Sequence, residues 1–143
     1  MPAREEYHII KWSKTYWKED CPLCKVLENN EQHILWNWKY WFILHNIYPY
    51  TGQENHIMAV PKIHKKYSYE LSTEETMELC EVFCFVKKFF WEQKYFSMTR
   101  ETLDNRSIEH FHIHFLAWKL QGKYIRNMLM NQWFPVIQYL DEK

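Results

Sequence analysis

Hydrophobic and polar positions along the chain alternate with two distinct periods. Ile34–Trp38 and Tyr40–Asn46 are dense in aromatic and branched residues, are separated by Lys39, and read as two strands. A third strand is expected at His56–Val60, ending at Pro61, which cannot donate to a ladder. Ser72-Thr73-Glu74-Glu75 fits a capping box, with Ser72 as N-cap and Glu75 at the third helical position. The helix it opens is expected to run to about Tyr95. Leu79, Val82, Phe83, Val86, Phe89 and Phe90 recur on it at steps of three and four, as one buried stripe. Cys80 and Cys84 fall on a neighbouring face and are expected to be small buried hydrophobes. Further strands are expected near Phe96–Thr102 and His110–Trp118, and a short helix around Tyr124–Gln132, where Ile125, Met128 and Leu129 share a face. Strands flanking one long helix, with short connections, imply an α+β domain on an antiparallel sheet.

Composition narrows the function classes. The 143 residues suffice for one domain with a core, and 47% hydrophobic with 19% aromatic residues can fill it. Lys plus Arg and Asp plus Glu each total 18, and that balance argues against a sequence-independent nucleic-acid binder. The two glycines, Gly52 and Gly122, leave no room for a G-x-G-x-x-G fingerprint or a Walker A loop. The opening MPAREEYHIIKWSK has no apolar segment of the kind a signal peptide carries, and no apolar run approaches the roughly 20 residues of a membrane span. A cytoplasmic protein with no nucleic-acid or membrane partner is expected. The four cysteines then read as thiols or metal ligands rather than disulfides.

The segment Ser107-Ile108-Glu109-His110-Phe111-His112-Ile113-His114-Phe115-Leu116 carries the candidate chemistry. In a strand, His110, His112 and His114 share one face, about 7 Å apart in succession, while Phe111, Ile113 and Phe115 enter the core. Each imidazole can donate, accept, ligate a metal or attack phosphorus near neutral pH. Cys21-Pro22-Leu23-Cys24 forms a compact knuckle that by itself fits redox chemistry, metal binding or chance. A thioredoxin-like reading needs a strand ahead of it, and Lys18-Glu19-Asp20 is a poor one. Trp36, Trp38, Tyr40, Trp41 and Phe42 can stack a purine base, although alternating aromatic strands more often form core and interface.

The histidine segment resembles the signature of the histidine triad (HIT) superfamily. The upstream block Asn46-Ile47-Tyr48-Pro49, followed by His56-Ile57-Met58-Ala59-Val60-Pro61-Lys62-Ile63-His64, is similar to that family's as well. The N-x-Y-P-Y form is similar to HIT proteins of the diadenosine polyphosphate phosphorylase and hydrolase type. The likeness spans about residues 21–118 of a single domain covering 1–143, with 119–143 as an extension. It implies a HIT-like fold with a five-stranded antiparallel sheet, one long helix and a short C-terminal helix. It also implies a nucleotide hydrolase, phosphorylase or nucleotidyl transferase that cleaves at the α-phosphate of a dinucleoside polyphosphate or adenylylated metabolite. On the resemblance, His112 is the nucleophile, His114 contacts phosphate and the bridging oxygen, Asn46 binds ribose hydroxyls and Ser107 contacts phosphate. The uridylyltransferase branch has Gln at the position of His114, which argues against a sugar-phosphate nucleotidyltransferase. In relatives with an N-terminal C-x-x-C, a structural zinc is held by positions matching Cys21, Cys24, His64 and His110; His33 is a rival third ligand, nearer the cysteines in sequence, but is expected to be a solvent-facing structural histidine. His8 and His45 are given no function. Homodimers are common in the family.

The chain departs from the family pattern in three places. Asn55-His56 replaces Gly-His, with two extra residues between Pro49 and His56. The pre-triad loop Arg100-Glu101-Thr102-Leu103-Asp104-Asn105-Arg106-Ser107 lacks glycine, and the proline after the triad is absent around Ala117-Trp118. Asn105 and Arg106 are candidate substrate contacts there. Arg106 is equally readable as a charge-assisted phosphate ligand or an ordinary exposed arginine. The altered loop also motivates a rival function, a non-catalytic nucleotide-binding or sensing module.

Overall fold

The computed structural model describes residues 21–29, 33–50 and 52–132. His8 lies outside the described residues. Helix α1 spans Pro22–Glu28, followed by strands β1 (Ile34–Asn37), β2 (Trp41–His45) and β3 (Ile57–Pro61). Helix α2 spans Thr73–Phe90, and β4 (Tyr95–Met98), β5 (Ile113–Ala117) and α3 (Gly122–Asn131) complete the chain. The strands form one five-stranded sheet in the order β1-β2-β3-β5-β4, and every pairing is antiparallel. The α+β architecture read from the sequence is the one observed.

The two faces of the sheet separate the core from the site. Trp41, Ile43, Ile57, Ala59, Ile113 and Phe115 meet Val82, Val86 and Phe90 of α2 on one face. Phe42, Leu44, Met58 and Val60 meet Leu23 and Val26 of α1 on the other. β2 and β3 are therefore buried on both faces, which explains their continuous apolar runs. Helix α2 starts as expected: Ser72 accepts from the Glu75 amide, and the Glu75 side chain accepts from the Ser72 amide. It is docked by Glu78, which accepts from the amides of Lys39 and Tyr40, and by the Glu75 carbonyl, which accepts from the Trp41 indole.

Several expectations are corrected. The knuckle at Cys21 is the start of a helix, because Pro22 at the first turn is pre-set for helical geometry. Helix α2 stops at Phe90 rather than Tyr95, where Trp91 turns to φ 53 and breaks the helical backbone. Tyr95 and Phe96 are thereby released into β4, which ends at Met98. Cys80 and Cys84 are exposed rather than buried, and so is Phe83: the stripe facing the sheet runs through Glu75, Val82, Val86 and Phe90. Strand β5 begins at Ile113 rather than His110, because His110–His112 are drawn into other contacts described below. Helix α3 lies where a tail helix was expected, but none of its side chains is buried.

Candidate functional site

Two clusters converge on the segment ahead of β5. In the first, one ligand atom from each of Cys21, Cys24, His64 and His110 lies within 4.8 Å of all the others. His110 Nδ1 is 3.4 Å from Cys21 Sγ and 3.5 Å from Cys24 Sγ, and His64 Nδ1 is 3.5 Å from Cys24 Sγ. Ligands about 2.3 Å (sulfur) and 2.0–2.1 Å (nitrogen) from a tetrahedral zinc have S···N edges of about 3.5 Å, so the observed spacing fits one. The far ring nitrogens are oriented as ligating imidazoles require. His110 Nε2 donates to the Pro61 carbonyl at 2.8 Å and His64 Nε2 to the Glu109 carboxylate at 3.1 Å, which leaves both Nδ1 lone pairs facing the sulfurs. Burial pushes His110 down to about 3, so its ring is neutral at pH 7, the form that ligates. The residues fit a closed Cys₂His₂ metal centre. His33 is not part of the cluster.

The second cluster lines a cleft between α1 and the sheet. Leu23, Val26, Leu44, Met58 and Ile108 form apolar wall, and Asn46, Ser107, His112 and His114 supply polar groups. Among the sequence-predicted contacts, these four polar residues are brought together. His112 Nδ1 lies 2.7 Å from the His110 carbonyl oxygen, which only accepts, so the proton sits on Nδ1 and the lone pair on Nε2. The rings of His112 and His114 are 4.7 Å apart at 74°. His33 lines the same cleft, and His45 packs edge-on to Phe89 with its imidazole lowered by burial and by His33.

The residue that sequence reasoning did not assign is His56. It is 1% exposed, and its Nε2 is 2.7 Å from His114 Nδ1. The Tyr50 amide, which only donates, reaches His56 Nδ1 at 3.3 Å. The proton of His56 is therefore on Nε2 and is donated to His114 Nδ1, which places the proton of His114 on its own Nε2. One neighbouring ring thus offers a lone pair and the other an N–H. The available signal is the position of His56 just before β3, two residues from Met58 and so on the same side; the register Met58↔His114 brings His56 close to His114. Asn46 accepts from the Tyr48 amide at 2.8 Å, and its side-chain nitrogen lies 3.4 Å from the His56 ring.

The remaining candidates are placed elsewhere. Arg106 is neither exposed nor in the cleft. Its Nε donates to the Arg100 carbonyl at 2.6 Å, and its Nη1 donates to the carbonyls of Glu109, at 2.9 Å, and Lys66. It ties the pre-triad loop together, and these bonds occupy its Nε and Nη1. Asn105 closes the short turn Leu103–Asn105, and its side chain lies outside the described residues. Trp41 and Phe42 are fully buried, Trp38 and Tyr40 pack against the core and Trp36 is exposed; none of the five lines the cleft.

No family model matches the sequence, and no curated protein matches it. Solved structures do. A histidine triad protein from Clostridium difficile superposes with a TM-score of 0.58 at 18% identity, covering 74% of this chain and 96% of that one. A HIT family hydrolase from Clostridium thermocellum gives 0.60 at 19% identity, covering 74% and 96%. The Plasmodium falciparum diadenosine triphosphate hydrolase gives 0.53 at 21% identity, covering 64% of each chain. The buried triad at the start of β5, the sheet order and these likenesses agree: the chain has the fold of the histidine triad proteins.

Proposed function

We propose that this protein is a histidine triad enzyme that transfers a nucleoside monophosphate group through His112. The observation that carries the reading is the pair of different partners on the two cleft imidazoles: the His110 carbonyl beside His112 Nδ1 and the His56 ring beside His114 Nδ1 favour a lone pair on His112 Nε2 and a proton on His114 Nε2. In the first displacement, a bond forms between His112 Nε2 and the α-phosphorus, and the P–O bond to the leaving group breaks. The leaving oxygen takes the proton of His114. In the second, water or phosphate attacks, the P–N bond breaks, and the acceptor's proton returns to His114. Ser107 and Asn46 line the same cleft and are assigned to phosphate and ribose, while the apolar wall of Leu23, Val26, Leu44, Met58 and Ile108 suits a base. The substrate class is a dinucleoside polyphosphate or an adenylylated metabolite.

Cys21, Cys24, His64 and His110 are assigned to a structural zinc. Held by these residues, a zinc ion would cross-link the start of α1, the segment after β3 and the segment before β5, and the displacement itself would be left to His112 and His114. We also assign the protein a homodimeric state, and the exposed face of α2 is its proposed contact.

The deciding assay follows diadenosine tetraphosphate with and without inorganic phosphate, in the wild type and in His112→Ala. Release of AMP or ADP by the wild type alone is expected, and the product separates hydrolysis from phosphorolysis. Radiolabel from an α-labelled substrate should be trapped on the wild type and not on His112→Ala. Tight nucleotide binding without turnover or trapped label favours the non-catalytic module instead, a reading motivated by the glycine-free loop ahead of the triad.

A further inference from the structure

The glycine-free loop and the loop between β2 and β3 meet at a contact that the triad chemistry does not by itself require. Arg100, just after β4, donates from Nη2 to the Tyr50 hydroxyl oxygen at 2.5 Å. The Tyr50 ring lies parallel to the His56 ring, with centroids 5.0 Å apart and planes at 8°. The amide of Tyr50 donates to His56 Nδ1 at 3.3 Å. His56 in turn donates to His114. Tyr50 therefore holds His56 in two ways: its amide sets the tautomer, and its ring blocks rotation of the imidazole plane. Arg100 anchors the far end of the Tyr50 ring, and Arg106 holds the backbone of Arg100 through its carbonyl at 2.6 Å.

We infer that Arg100 and Tyr50 form a brace that positions His56, and through it fixes the Nε2–H of His114 toward the leaving group. This inference rests on the proposed nucleotidyl transfer and deepens it: in the glycine-free loop, Arg100 bonds Tyr50 and Arg106 holds the Arg100 backbone. Arg100 and Tyr50 are positioning residues and touch no reacting atom. Stacking on a flat aromatic face alone leaves a loop tyrosine free to slide, whereas a charged hydrogen bond to its hydroxyl fixes the ring at its far end. Loss of the brace lets the His56 imidazole turn, and a turned ring presents a carbon rather than an N–H to His114 Nδ1.

The test exploits how much each leaving group needs a proton. Adenosine 5′-phosphoramidate must lose a protonated amine, whereas the p-nitrophenyl ester of AMP releases a stable anion. Arg100→Ala and Tyr50→Phe should each lower kcat on the phosphoramidate by about tenfold or more, within the range for general acids. The ester should slow less than threefold, with KM for both substrates unchanged, and Arg100→Lys should restore part of the loss. Tyr50→Phe keeps the stacked ring, so the fold is retained. A second readout is independent of turnover: long-range 15N–1H spectra should place protons on Nε2 of His56 and of His114 in the wild type, and show mixed tautomers in Arg100→Ala. Equal slowing on both substrates, or unchanged tautomers, overturns the brace while leaving the transfer reading intact. Failure of the wild type to turn over either substrate overturns the transfer reading and the brace with it.

Discussion

His112 and His114 are chemically identical side chains two positions apart, and their different partners give them different work. A backbone carbonyl accepts from His112 Nδ1, while a third imidazole, His56, donates to His114 Nδ1. Since a carbonyl can only accept and the Tyr50 amide can only donate, the two tautomers follow from neighbours that do not titrate. Replacing His56 with Leu keeps an apolar filler at a buried position but removes the partner of His114. We expect kcat to fall by about a hundredfold, comparable to the loss of one aligned donor to developing charge. Binding of AMP, measured by calorimetry, should change much less. A loss of binding equal to the loss of rate would instead make His56 a substrate ligand.

At the scale of elements, α1 is short and depends on what it is tied to. Its seven residues are too few for a stable helix by themselves. It is held by Leu23 and Val26 packed on the sheet and by the two cysteines facing His64 and His110. Metal analysis should find one zinc per chain, and Cys24→Ser should remove it. The unfolding midpoint should then drop by more than about 10 °C, equivalent to about 3 kcal/mol or more in a domain of this size. Helix α2 offers a sharper case. Its Ser72 cap accepts the Glu75 amide, so Ser72→Ala should cost about 1 kcal/mol in denaturant unfolding. Burial alone would raise the Glu75 carboxyl, but the Ser72 amide and the Lys65 ammonium, 2.9 Å away, outweigh it and hold the group below its ordinary value of 4.5. A depressed folded value adds stability that is present above pH 4.5 and is lost as pH falls through the folded value. Glu75→Gln should therefore be less stable than the wild type at pH 7, and the gap should narrow in acid.

For the whole molecule, what remains unburied is as informative as the core. On α2, Met77 is 71% and Phe83 44% exposed, and Trp91, just after the helix, is 74% exposed. Large apolar side chains left exposed in this way suit a second copy of the chain. Sedimentation should give a dimer, and Phe83→Asp should shift it toward monomer while leaving the metal content unchanged; a wild-type monomer at micromolar concentration would refute the assignment. Among the described residues no helix is long and apolar enough to cross a membrane.

Much of this arrangement is legible in one dimension, because it depends on local periodicity and covalent spacing. The cap at Ser72 and the strands up to Pro61 follow from neighbouring residues, and so does the division of Phe111, Ile113 and Phe115 from the histidines between them. The triad is legible for the same reason: two-residue alternation is a property of the strand itself. The ligand set Cys21, Cys24, His64 and His110 was available only through resemblance, since nothing local joins residues 89 positions apart. Long-range packing decided the rest. The pairing of β3 with β5 delivers His56 to His114, and that register is a tertiary contact between segments 58 positions apart. The docking of α2 by Val82, Val86 and Phe90 turned Cys80, Phe83 and Cys84 outward, because a helix on a flat sheet buries a narrower arc than its apolar residues cover. Arg106 shows the limit most plainly. Its charge is evident in the sequence, but only the folded loop supplies the three carbonyls that turn that charge inward.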